Sequence, residues 1–220
     1  MHLEDLSSLS KLGVSIAMKI TGVSILSVLA LFMIINRPEY LPSISEAAAK
    51  GIPRVVNSIG VGLGGFLFFV SGTLWLICGY KQTGGWTIHV KILFTCIVHF
   101  VSSLCLISQA IVPIKLREET CIHRVFAAIF FLTAFLLCYL LRSIEKAIHE
   151  VCASVQLLRS VVLFLGLSAM LFGGNLATAW GNFMSHSPKM VELRTLTGFS
   201  CIQYVIVLSL LIYIYTFSLS

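Results

Sequence analysis

Six long stretches rich in Leu, Ile, Val and Phe, each free of charge over about the length of a bilayer crossing, organise this chain. They lie between Lys19 and Arg37, Arg54 and Lys81, Lys91 and Lys115, Arg124 and Arg142, Arg159 and Lys189, and after Arg194. About 20 mostly apolar residues carry a helix across the hydrocarbon core. None of the windows keeps the two-residue alternation of a transmembrane strand. The pattern predicts an all-α fold, a polytopic transmembrane bundle of six helices forming one domain over residues 1–220. The spans fall at about 14–36, 57–80, 91–113, 123–142, 158–180 and 196–217. An even number of spans puts both termini on one side. Lys19 sits near the end of the first span, where its stem can snorkel to the headgroups. The leader carries Glu4 and Asp5 beside Lys11, and no small-x-small cleavage pattern precedes Arg37. The first span is therefore expected to be an uncleaved signal anchor.

Composition supports the same class. The apolar set makes up 58% of the 220 residues and charged residues only 11%, with a mean hydropathy of +0.98. A soluble domain cannot hide that much hydrocarbon, and disorder or a disulfide-stapled miniprotein is equally excluded. Lys and Arg divide seven to the terminal side and eight to the other, so the positive-inside rule assigns no orientation. The net charge of +6 is thus split over both faces and forms no nucleic-acid patch. The seven cysteines (Cys78, Cys96, Cys105, Cys121, Cys138, Cys152 and Cys201) contain no C-x-x-C and read as small apolar residues. Cys121 and Cys152 are juxtamembrane, but nothing else marks them for acylation.

The longest connection, residues 37–56, holds three of the five prolines. Pro38, Pro42 and Pro53 each remove a backbone donor and extend the preceding residue. Ser45, Glu46 and the alanines after them predict a short helix ended by Gly51, while Tyr40 and Leu41 suit the membrane interface. The loop is expected to be an ordered cap; the alternative is a connector without a ligand. Within the spans, His99 with Cys96, Ser102 and Ser103 nearby reads as a packing histidine, since no further metal ligand lies in its window. Ser168, Asn175 and Asn182, with Thr178, form a stripe expected to face protein or water, and a water path along it would suit a small transporter. Gly60 and Gly64 allow close helix contact. His123 follows the acidic pair Glu118–Glu119, and Gln203–Tyr204 lies in the last span. No hydrolase, zinc-protease, P-loop or dinucleotide signature is present, so no cofactor or metal is expected. With no activated-nucleophile pattern in view, the residues favour a role that is not enzymatic.

The segment Tyr40-Leu-Pro-Ser-Ile-Ser45, then Ile52-Pro-Arg54 and the glycine-rich second span, resembles the Frag/DRAM/Sfk family of six-span membrane proteins. The resemblance implies a first loop on the lumenal or extracellular side and both termini in the cytosol. A histidine opening the fourth span matches His123, and Arg142 and Lys146 close that span as in relatives. Where relatives often carry Glu before an aromatic in the last span, this chain has Gln203–Tyr204, which removes an ionisable group. An acidic residue often seen in the third span is also missing. The LPSIS form is most similar to the post-GPI-attachment factor 2 branch. That branch implies a Golgi or endoplasmic reticulum protein in lipid remodelling of GPI-anchored proteins, with an accessory rather than catalytic role. The alternative branch implies a lysosomal membrane modulator of autophagy. Partners implied are membrane lipids, GPI-anchored proteins and other proteins of the membrane. The residues expected to meet a lipid headgroup are Pro42, Ser43, Ser45, Pro53, Arg54, His123, Gln203 and Tyr204.

Overall fold

The computed structural model describes residues 3–112, 120–148, 151–183 and 188–217. These residues form helices α1 (Leu3–Asn36), α2 (Ile44–Ala47), α3 (Gly51–Gln82), α4 (Trp86–Ile111), α5 (Thr120–Ile148), α6 (Ala153–Phe183) and α7 (Pro188–Thr216). All but α2 are long and apolar enough to cross a membrane, and no strand occurs among the described residues. The chain is a six-span, all-helical membrane protein. Each long helix is longer than the span expected for it, because polar and charged residues at a span's edge remain helical. Glu118 and Glu119 lie outside the described residues, as does the side chain of Cys121.

Neighbours in sequence pack as neighbours in space: α1 on α3, α3 on α4, α4 on α5 and α6 on α7, with α7 also touching α1 and α5. The core is built from Trp75, Leu76, Ile92, Leu137, Ile144 and Tyr213. α1 and α3 approach closely because α3 presents glycine. A Cβ on Gly60 would overlap Ser24, and one on Gly64 would overlap Thr21 and sit 3.1 Å from the Ala17 carbonyl oxygen. Thr21 cannot swing away freely, since its hydroxyl donates to that same carbonyl at 2.9 Å. The variant Gly60→Ile/Gly64→Ile is therefore expected to lose about 1–3 kcal/mol through overpacking. Denaturant unfolding in detergent micelles measures it; an unchanged midpoint would refute this seam.

α6 uses glycine in the same way. Gly173 faces Ile202, Gly181 faces Thr195, and Gly198 of α7 faces Ala177. Positions two residues away along a helix turn by about 200°, so a stripe at Ser168, Asn175 and Asn182 lies opposite this seam. Asn175, Thr178 and Asn182 are exposed on the outside of the bundle and Ser168 is half-buried. The stripe thus lies outside the α6–α7 seam, and no path through the described residues runs along it.

His99 is a packing residue: it is 2% exposed, donates from Nε2 to the Phe69 carbonyl at 3.2 Å and stands edge-on to Phe68. Gly72 makes room for its ring. Cys78, Cys105 and Cys138 are buried and Cys96 is half-buried, whereas Cys152 and Cys201 face outward. Lys19 lies on an exposed face of α1 with its Nζ 5.9 Å from the Tyr215 ring centroid.

At the terminal end lies a feature that the apolar windows hide. Arg159 of α6 is 1% exposed and pairs through Nη1 with the Glu145 carboxylate of α5. Its Nε donates to the Thr216 hydroxyl at 2.9 Å and its Nη2 to the Thr216 carbonyl at 2.8 Å. The Phe217 and Tyr213 rings flank the guanidinium at 4.9 and 5.8 Å. The Tyr213 hydroxyl in turn donates to the Cys138 carbonyl at 2.7 Å. One cation thereby ties α5, α6 and α7 together.

Candidate functional site: a cavity under a helical lid

The first loop begins where Arg37, in the left-handed region at φ 44°, ends α1 against Pro38. It then folds back over the bundle. Ser43 caps α2, accepting from the Glu46 amide at 3.2 Å while the Glu46 carboxylate accepts from the Ser43 amide at 2.8 Å. This reciprocal box corrects the expected start at Ser45: the S-x-x-E spacing satisfies two orphan amides, which a start at Ser45 cannot do. The helix lasts one turn, and Gly51, at φ +64°, opens α3 instead of closing α2. Pro53 sits buried in the first turn of α3, where no intrahelical donor is needed. The Tyr40 hydroxyl donates to Glu46 at 3.3 Å. Burial, then the Glu46 charge, hold this phenol above its ordinary pKa, so it remains a donor.

Four contacts dock this lid on the bundle. The Leu41 amide donates to the Thr197 hydroxyl at 3.4 Å, and the Ile44 amide donates to Gln203 Oε1 at 3.0 Å. The Tyr204 hydroxyl donates to the Pro42 carbonyl. Ser45 Oγ lies 3.1 Å from His123 Nε2. The other ring nitrogen, Nδ1, is 3.1 Å from the Val112 carbonyl oxygen. A carbonyl only accepts, so Nδ1 carries the proton, and in the neutral ring Nε2 accepts from the Ser45 hydroxyl.

Below the lid is a cavity of about 100 Å³, several times the ~10–15 Å³ that one water needs. Ser45, Arg54, His123 and Gln203 wall its mouth. Its depth is apolar, with Val61, Phe68, Leu106, Phe130, Leu137, Leu210 and Ile214 contributed by α3, α4, α5 and α7, and with Met18 and Ile25 from α1. Arg54 and Phe68, like His123 and Leu137, are fourteen positions apart, so the lining residues are spread over about 20 Å along the helix axes. That compares with the ~15 Å of one bilayer leaflet. A second, smaller cavity shares Phe68 and Ile214, so these two side chains partition the space. Ser102 also lines the slot; its buried hydroxyl has no hydrogen-bond partner among the described residues.

Of the residues expected to meet a headgroup, the structure brings Ser45, Arg54, His123 and Gln203 to one cavity. Pro42, Ser43 and Tyr204 instead build and anchor the lid, and Pro53 starts the helix that carries Arg54. Ser102, Asn57 and Gln109, which also line the cavity, are missed by a reading of the sequence. Their signal is only a polar residue on an otherwise apolar face. The arrangement offers one exposed cation, one imidazole and one carboxamide above a hydrocarbon-lined slot, a polarity gradient matched to an amphiphile. No protein-family model, no curated protein and no solved structure matches this chain.

Proposed function

We propose that this protein receives a membrane lipid, head at the lid and hydrocarbon below, and that it serves the lipid remodelling of GPI-anchored proteins in the Golgi or endoplasmic reticulum. The observation that carries the lipid reading is the meeting of Ser45, Arg54, His123 and Gln203 at the mouth of one apolar slot under an ordered lid. Arg54 suits a phosphate, which its guanidinium can bind with two parallel hydrogen bonds, and His123 suits a hydroxyl. The GPI assignment rests on the resemblance of the LPSIS loop and His123 to one branch of the Frag/DRAM/Sfk family, which also places the lid in the lumen and the termini in the cytosol. Holding and presenting a lipid to another enzyme requires no more than the features above, an accessory role.

The test is rescue of cells lacking the gene. Wild type should restore the lipid composition of GPI-anchored proteins, and the double variant Arg54→Ala/His123→Ala, expressed to the same level, should restore less than about a tenth of it. Full rescue by the double variant would refute the site. Normal GPI lipids in the knockout would refute the pathway.

A further inference from the structure

The contact between Ser45 and His123 has the form of more than a latch. In serine acyl transfer, a hydroxyl donates to an imidazole nitrogen while the opposite ring nitrogen is held by an acceptor that sets the tautomer. Here the Ser45 hydroxyl meets His123 Nε2 at 3.1 Å and the Val112 carbonyl holds Nδ1–H at 3.1 Å. His123 is 7% exposed, and its ring is fixed from both sides. Ser45 is fixed as well, because the Ser43–Glu46 box and the Gln203 contact clamp the turn that carries it. Both side chains face the cavity.

Donors for a developing oxyanion stand on the same wall. Gln203 spends its Oε1 on the Ile44 amide, so the orientation of the carboxamide is set and its NH₂ remains a donor. Arg54 adds a charge. The slot supplies position: an acyl chain lying against its hydrocarbon lining leaves its ester at the mouth, beside Ser45.

We propose that Ser45 is a nucleophile that takes an acyl group from a lipid ester, with His123 as its general base. The Ser45 oxygen bonds to the acyl carbon while its proton passes to His123 Nε2. The ester C–O bond then breaks and the His123 proton goes to the departing lipid alkoxide, releasing a lyso-lipid. Water, or the hydroxyl of a second lipid, next attacks the acyl-serine. Its proton goes to His123 and on to Ser45 as the fatty acid or new ester leaves. Gln203 and Arg54 steady the oxyanion in both halves. This step rests on the reading that lipid enters the cavity, and it goes beyond presentation by adding chemistry.

The test uses the full chain in phosphatidylinositol nanodiscs. A fluorophosphonate probe should label wild type on Ser45, as mapped by peptide mass spectrometry, and the nanodiscs should release free fatty acid. Ser45→Ala should lose both signals while its unfolding midpoint in micelles stays unshifted. His123→Ala should slow labelling by about 10²–10⁴-fold. Labelling by wild type that persists in Ser45→Ala would overturn the proposal. So would a wild type that binds phosphatidylinositol yet neither takes the label nor releases fatty acid; the lipid reading would then survive and Ser45 would be a latch. A wild type without bound lipid, label or released acid would overturn both.

Discussion

Replacing Arg159 by alanine is expected to destabilise the protein by about 3–5 kcal/mol, among the largest losses from any single side chain. The reason is the partner left behind. Glu145, 2% exposed, would lose the guanidinium that balances its carboxylate, and Thr216 would lose two donors. Glu145→Ala should cost a comparable amount, by removing the carboxylate that balances the buried guanidinium. A joint change to Arg159→Met/Glu145→Leu should recover much of the loss, because an apolar pair of similar volume avoids the desolvation of two ions. Denaturant titration in micelles measures all three. A joint variant as unstable as either single one would show that the pair is not coupled. α6 otherwise packs mainly on α7, so the single variants should also loosen α6 from α5, visible as faster amide exchange around residues 153–160.

The second large effect concerns the lid. Gln203→Leu leaves the Ile44 amide without its acceptor, and Tyr204→Phe removes the donor to the Pro42 carbonyl. A buried backbone group without a partner costs about 1–3 kcal/mol. The two changes together should therefore raise lid opening by at least about 30-fold, read as hydrogen exchange of the amides of residues 43–48. Global stability should change far less, since neither side chain belongs to the buried core of Trp75, Leu137 and Tyr213. Unchanged exchange in the lid would mean that α7 does not hold it.

Much of the bundle is legible in the sequence because a bilayer leaves few choices: a charge-free apolar run of sufficient length must be a helix. Proline and glycine spacing likewise signals an ordered first loop. The start of α2 is legible too, in Ser43-x-x-Glu46, but the alanines after Glu46 draw attention to Ser45. Arg159 is not legible. A cation at the edge of an apolar window reads as a boundary, and only Glu145 and Thr216, from two other helices, make its burial tolerable. The placement of the asparagine stripe is not legible for a related reason: period alone cannot say which face of α6 meets α7, and glycine on the other face decides it. Ser45 and His123 are 78 positions apart, so the pairing of hydroxyl and imidazole exists only after the loop folds over α5.

The central claim is that the lidded cavity holds one lipid. Its most direct measurement is native mass spectrometry of the full chain ejected from phosphatidylinositol nanodiscs, comparing wild type with Arg54→Ala/His123→Ala. Wild type should retain a single phosphatidylinositol at an activation energy that strips peripheral lipid, and the double variant, with an unshifted unfolding midpoint, should retain about a tenth as much. Equal retention by both, or a ladder of adducts with no preference for one, would contradict the account.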